Sequence, residues 1–347
     1  MISEAVSNQQ AAGEQDRPQP VIVFEDVSKQ YPGTASFAVD HVSLAVQPGE
    51  LIVLLGPSGC GKTTLMKMVN RLIELTSGWI YINGTPIGDV PVNALRRSIG
   101  YVIQNVGLFP HMDVARNIAV VPEMVGWDKA RIATRVEELL GLVGLPATEF
   151  AKRYPRQLSG GQQQRVGLAR AMAANPAVML MDEPFAAIDS ITRRRLQDEL
   201  IRIQRTVRKT ILFVTHDVEE ALRLADKIVV MREGQVVQYD TPLHLLSRPA
   251  DDFVAQLVGA DDVLRGLSLI DVGTIMQPLS QPLPAVSASG AGPNLQLHSN
   301  LRYALGLFLT SGAERIVVQD ERGAAVGQIS FAQVRHLSVG GHVGAEE

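Results

Sequence analysis

The chain has 347 residues, of which 46% are hydrophobic and 20% charged, and its net charge is −4. That length accommodates two or three domains with a sizeable core, and the mildly acidic balance leaves no footprint for nucleic acid or an anionic membrane. No apolar run approaches the ~20 residues of a membrane-spanning helix, and the single cysteine, Cys60, excludes an intrachain disulfide or a cysteine metal cluster.

Residues 1–20 are polar and acidic without an apolar stretch, which reads as a disordered lead and not a signal peptide, so the expected compartment is the cytoplasm. From Val21 the pattern turns strand-like: Val21 to Phe24, a turn at Tyr31-Pro32-Gly33, then Phe37 to Val46 with Val42, Leu44 and Val46 alternating. The apolar run Leu51 to Leu55 leads into Gly56-Pro57-Ser58-Gly59-Cys60-Gly61-Lys62-Thr63, and Thr64 to Val69 continues as a helix. This is G-x-x-x-x-G-K-[ST] between a strand and a helix, the phosphate-binding P-loop. The glycines let backbone N–H groups point inward, and the helix adds its positive end to the same cup. Lys62 is placed to reach β- and γ-phosphates and the Thr63 hydroxyl to ligate a bridging Mg²⁺, so Gly56 to Thr64 is expected to hold a polyphosphate. Cys60 reads as a small side chain turned away from that ligand.

Ser77 to Gly84 and Ile99 to Gln104 are the next strands, and from Asn105 to about Asn175 the periodicity is helical, clearest between Arg131 and Val143. Val178 to Met181 resumes the buried-strand character. A helix at about Ile191 to Arg205, a strand at Thr210 to Thr215, a helix at Val218 to Leu224 and a strand at Lys227 to Met231 follow. Strands alternating with helices imply a parallel sheet covered on both faces: a doubly wound α/β core, preceded by antiparallel strands and interrupted by an all-helical insertion. After a Gly234-Gln235 turn, two short helices run to about Asp262. Residues 263–299 are expected as a connection ending in a Pro/Ser/Gly-rich linker, Pro278 to Pro293, without regular structure. Residues 300–338 read as one small α-β-β-α unit, followed by a tail at 339–347.

Asp182-Glu183-Pro184 follows the strand Val178 to Met181. An acid at that position in a P-loop protein is placed to hold the Mg²⁺ shell, and its neighbour to orient an attacking water, so Asp182 is assigned to the metal and Glu183 to the water. Two carboxylates capping the next helix account less well for an adjacent pair. The strand Ile211 to Val214 ends in Thr215-His216-Asp217. A single histidine at a strand end is commonly structural. Here three strand ends carry the P-loop, the two acids and His216 to the edge where α/β sheets bind ligands, which favours a role in the site.

The insertion contains Leu158-Ser159-Gly160-Gly161-Gln162-Gln163-Gln164-Arg165. Over residues 21–262 the chain resembles the ATP-binding-cassette (ABC) ATPases, whose signature is L-S-G-G-Q and whose motifs all occur here in order. Read physically, Ser159 and the amides of Gly160 and Gly161 open a helix and form a second anion-binding N-terminus. The resemblance implies a P-loop NTPase fold and a head-to-tail homodimer, in which Ser159, Gly160, Gly161 and Gln162 of one copy close over ATP bound by the other. It implies that Gln104 links the Mg²⁺ and γ-phosphate to the helical subdomain (about 105–175), and that Gln104 and His216 join Glu183 in hydrolysis. It also implies that the Ile188-Asp189 loop touches the partner and that Tyr31 stacks on adenine.

The stretches Val102-Ile103-Gln104, Gly107-Leu108-Phe109-Pro110-His111-Met112, Asn117-Ile118-Ala119, Val121-Pro122, Gly126-Trp127 and Glu183 to Arg193 are similar to the ATPase subunits of importers for quaternary amines and osmoprotectants, such as glycine betaine, carnitine, choline and proline. Ser190 stands where proline is usual. The implied partners are transmembrane permease subunits, received by the surface around Gln104 to Pro122, and indirectly an extracytoplasmic solute-binding protein; no nucleic acid is implied. The implied location is the inner face of the plasma membrane. Asp271 to Leu337 resembles a single CBS (cystathionine-β-synthase-type) unit through Thr274-Ile275-Met276 and Val326 to Ser330. Gln333 stands where nucleotide-binding versions place a ribose-holding aspartate, so a structural or dimer-contact role stands beside a sensory one. The alternatives are an importer ATPase for another small nutrient, such as an amino acid, and a non-transport mechanical ATPase. The second typically carries a long coiled coil or two cassettes, whereas this sequence has one cassette and no sustained heptads.

Overall fold

Leu51 to Leu55 are all buried, as a strand covered on both faces requires. The computed structural model describes residues 19–104, 107–186, 188–283 and 293–338. The chain divides into two units, Met1–Asp240 and Thr241–Glu347.

In the first unit the elements run β1 (Ile22–Gln30), β2 (Phe37–Val46), β3 (Leu51–Leu55), α1 (Lys62–Val69), β4 (Ser77–Ile82), β5 (Thr85–Pro86), α2 (Val92–Ser98) and β6 (Ile99–Val102). Then come α3 (Val114–Met124), α4 (Lys129–Leu142), α5 (Ala147–Phe150), α6 (Gly160–Met172), β7 (Val178–Asp182), α7 (Ser190–Val207), β8 (Thr210–Val214), α8 (Val218–Leu224), β9 (Lys227–Arg232) and β10 (Gln235–Asp240). The main sheet has the order β10-β9-β3-β8-β7-β6, parallel except for the antiparallel edge β10. The β9–β10 hairpin turns on Glu233 and Gly234, both with positive φ, one residue earlier than the sequence pattern suggests. A second, antiparallel sheet, β2-β1-β4-β5, shares a core with the main sheet and α1 through Phe24, Ile52, Leu54, Leu65, Met66 and Leu212.

The helical insertion is α3 to α6. It begins at Val114, later than the expected Asn105, because residues 107–113 form an irregular loop; Asn105 and Val106 lie outside the described residues. Asp113 and Asp128 cap α3 and α4 by accepting the Arg116 and Arg131 amides, each cap contributing about 1 kcal/mol.

The second unit holds α9 (Pro242–Ser247), α10 (Asp252–Val258), α11 (Val263–Ser268), α12 (Val272–Ile275), β11 (Gln277–Leu283), β12 (Asn294–Gln296), α13 (Leu301–Ser311), β13 (Arg315–Gln319), β14 (Ala325–Ser330) and α14 (Phe331–Ser338). It begins ahead of the boundary expected near Asp262, because α9 packs on both α10 and α11. Its sheet has the order β11-β14-β13-β12, so the expected linker is partly strand. Pro278 and Pro282 lack an amide proton, yet β11 accommodates them because it is an edge strand with an irregular register against β14. Residues 284–292, the rest of that proline- and glycine-rich stretch, lie outside the described residues, as do the expected disordered lead up to 18 and the tail from 339.

Candidate active site

Adjacent strands β3, β8, β7 and β6 end at one edge of the sheet. In that order they deliver the P-loop, His216, the pair Asp182 and Glu183, and Gln104, so four pieces distant in sequence converge where an α/β sheet binds its ligand.

The P-loop turns on Gly56, Gly59 and Gly61, with φ of +153°, +83° and +106°. A Cβ at Gly56 would stand 2.2 Å from the Met231 carbonyl oxygen, and one at Gly61 2.2 Å from that of Ala38, so backbone contact on both sides demands glycine. Lys62 is buried, and its Nζ donates to the carbonyls of Gly56 at 2.7 Å and Pro57 at 2.9 Å. The lysine thus braces its own loop with its charged end. Cys60 is buried, with its Sγ 3.7 Å from Lys62 Nζ. At the start of α1 the Thr64 hydroxyl lies 3.4 Å from Tyr31 Oη, which places the Tyr31 ring at the mouth of the cup with Lys29 Nζ 5.3 Å from its centroid.

The Thr63 hydroxyl donates to Asp182 Oδ1 at 3.1 Å, bringing two of the three expected metal ligands together, while the third, Gln104, meets Glu183. Lys67, four residues after Thr63 on the same face of α1, puts its Nζ 3.7 Å from Asp182 Oδ2. Burial and the Asp182 charge push the Tyr101 phenol up to about 12, so that neighbour stays neutral.

Glu183 has φ of +42°, a left-handed backbone that costs a non-glycine residue about 1–3 kcal/mol. Its amide donates to the Val214 carbonyl at 3.0 Å, fixing it against β8. The carboxylate then meets His216 Nδ1 at 3.2 Å and accepts from Gln104 Nε2 at 3.5 Å. Neither acid caps the following helix. That task falls to Asp189, whose Oδ1 accepts the Thr192 amide, and hydrogen bonds from the Thr192 backbone and hydroxyl hold the Asp189 carboxyl below its usual range.

Ser159 opens α6 in a reciprocal capping box: its Oγ accepts from the Gln162 amide and its amide donates to Gln162 Oε1 at 2.9 Å. A Cβ at Gly161 would lie 3.0 Å from Thr192 Cγ2, so the start of α6 rests on the start of α7. Among the described residues no hydrogen bond joins Ser159 to Gln162 with the P-loop. Within one chain the two helix N-termini, of α1 and of α6, are each formed by their own residues.

A model of the ABC transporter family matches residues 39–186. The osmoprotectant import ATP-binding protein OsmV of Salmonella typhimurium is 45% identical over 321 residues, spanning 92% of this chain and 81% of that protein. The chain belongs to the ABC transporter family. A second relative of this ABC ATPase, the glycine betaine/carnitine/choline transport ATP-binding protein OpuCA of Bacillus subtilis, is 43% identical over 314 residues, 90% of this chain and 79% of its own length. Among solved structures, the dimeric post-hydrolysis state of the ATP-binding cassette MJ0796 bound to ADP and Pi is similar, with 31% identity and a TM-score of 0.56 over 64% of this chain and 98% of that one.

This ABC ATPase also carries positioning groups whose contacts the sequence patterns did not reveal. Asn117 on α3 is fully buried; its Oδ1 accepts from the Phe109 amide at 2.8 Å, and its Nδ2 reaches the Phe109, Met112 and Asp113 carbonyls. Arg170 on α6 donates to the Gly107 carbonyl at 2.8 Å and lies over the Phe109 ring, and burial lowers its pKa. Together they fix the loop 107–113, in which Phe109 stays exposed; Met124 and Val125 are exposed at the far end of α3. An asparagine inside an apolar helix was the available signal. Among the described residues no helix is long and apolar enough to cross a membrane.

In the second unit, Gln333 accepts from the Ser330 amide and hydroxyl, both at 2.8 Å, and donates to the Ile275 carbonyl at 3.1 Å. Its amide group is thereby committed to internal bonds.

Proposed function

We propose that this ABC ATPase energises import of a quaternary amine or related osmoprotectant, the class that includes glycine betaine, carnitine, choline and proline, as one of two identical subunits beneath a transmembrane permease. The observation that carries the reading is similarity along nine-tenths of the chain to relatives named for osmoprotectant and glycine betaine/carnitine/choline transport. The exposed Phe109 on a braced loop, with Met124 and Val125 exposed at the other end of α3, suits reception of a permease helix. That contact would hold the subunit on the inner face of the membrane, with a solute-binding protein acting from the far side.

In this reading ATP lies in the P-loop cup, with its adenine against Tyr31 and its phosphates on the amides from Gly59 to Thr64 and the Lys62 ammonium. Thr63 and Asp182 offer hard oxygens 3.1 Å apart, the donor set Mg²⁺ takes when substrate phosphates and water complete its shell. Bound there, the ion would neutralise charge on the β- and γ-phosphates. Glu183 orients a water and accepts its proton as the water oxygen bonds to the γ-phosphorus and the bond to ADP breaks. His216 and Gln104 hold the two oxygens of Glu183. Ser159 and the glycine amides of the partner supply the second cup over the γ-phosphate, and the loop at Asp189, beside the exposed Ile191, meets the partner. Loss of the γ-phosphate releases the partner's helix, so nucleotide state and permease state form one coupled equilibrium. The committed amide of Gln333 supports a structural or dimer-contact role for the second unit.

Reconstitution with its permease in vesicles tests the cargo. ATP-dependent uptake of radiolabelled glycine betaine or choline is expected, whereas uptake of an unrelated amino acid alone would sink the assignment.

A further inference from the structure

We propose that Arg193 is a positioning residue for hydrolysis, tying the loop that leaves Glu183 to the turn that carries His216. Its Nη2 donates to the Ile188 carbonyl at 3.0 Å, and its Nη1 lies 3.3 Å from Asp217 Oδ2. One planar guanidinium thus grips two loops that arrive from different strands, which suits arginine's rigid fork and exceeds the reach of a single ammonium. Each loop is also held on its own: the first by the Glu183 amide on Val214 and by Asp189 capping α7, the second by the Asp217 amide on Thr215 Oγ1, so what stays open is the span between them. Arg193 closes the remaining gap. It also forms part of the wall of a small cleft lined by Glu183, Phe185, Thr215, His216 and Asp217, the space beside the proposed water-orienting carboxylate.

A second, buried strut runs in parallel one turn further along α7. Gln197 Nε2 donates to Glu220 Oε1 at 3.0 Å, the Glu220 amide donates to Asp217 Oδ1 at 3.1 Å, and the Asp217 amide donates to Thr215 Oγ1 at 3.0 Å. This strut holds α7 to α8 without Arg193, so replacing the arginine leaves the fold intact while releasing the Ile188 carbonyl and Asp217 Oδ2 from each other. The P-loop, built on β3 and α1, takes no support from Arg193. The step affected is therefore hydrolysis and not ATP capture. The inference rests on the reading of Glu183 and His216 as the hydrolytic pair.

The test is steady-state ATP hydrolysis by the full chain, with melting curves, for R193Q, R193K, D217N, R193Q/D217N and, as reference, H216A. R193Q is expected to lower kcat by about ten- to a hundredfold, with KM for ATP and the melting temperature near the parent values. R193K, which keeps the Asp217 contact and loses the second arm, falls between. The double variant should be no worse than the weaker single, since both remove the same tie. An unchanged kcat in R193Q, a kcat loss matched by a fall in melting temperature, or additive losses would overturn the proposal. If H216A lowers kcat and R193Q does not, only this inference fails; if H216A keeps the parent rate, the underlying reading of the pair fails with it.

Discussion

His216 Nδ1 lies 3.2 Å from Glu183 Oε1, across the gap between the ends of β8 and β7. A neutral ring donating from Nδ1 presents Nε2 outward as an acceptor, and a protonated ring presents it as a donor. The contact fixes the ring orientation in either state, and with Gln104 on the other oxygen it holds Glu183 at both ends.

Glu183→Gln keeps the shape of that arrangement and removes the proton acceptor. Phosphate release should fall by about 10² to 10⁴, while nucleotide affinity stays close to the parent. Hydrolysis at the parent rate would remove Glu183 from its role.

Lys62→Ala removes both the phosphate contact and the brace across Gly56 and Pro57. Affinity for ATP, measured by titration with a fluorescent analogue, should weaken at least about tenfold. Unchanged affinity would contradict the P-loop contact.

Asn117→Ala leaves the part-buried Phe109 amide without its partner, so the helical insertion should lose about 1–2 kcal/mol. Proteolysis should become faster at 107–113, and uptake by the assembled transporter should fall more than its hydrolysis. Equal losses in both would argue against a coupling role for the loop.

Burial raises the pKa of Glu220 above its ordinary 4.5. The folded state therefore binds the proton more tightly than the unfolded one. The carboxyl's favourable contribution is complete below about 4.5 and is lost as pH rises through the folded value. Glu220→Gln should accordingly melt higher than the parent at pH 7.5, with the gap closing toward pH 4.5. A difference independent of pH would show that Glu220 is not buried as a titrating group.

The P-loop, the acid pair and the signature were legible because each is a local string whose chemistry needs those residues in that spacing, and the strand–helix alternation placed them at one edge. What escaped was assembled across the sequence. Arg193 meets Asp217 and Gln197 meets Glu220 only because α7 packs beside α8. Lys67 gains meaning only when β7 brings up Asp182. The strands around Pro278 and Asn294 escaped for a different reason: their pattern is that of a linker, and an edge position in a sheet built by β13 and β14 makes them strands.

If each ATP site is completed by a second copy of the chain, two inactive variants should restore each other when mixed. Lys62→Ala spoils the P-loop and Ser159→Arg spoils the signature. In a head-to-tail dimer of the two, one site pairs the sound P-loop with the sound signature. An equimolar mixture should regain about a quarter of the parent hydrolysis, as expected when half the dimers are mixed and each holds one intact site. Mixed dimers that form yet stay as inactive as either variant alone would contradict the account.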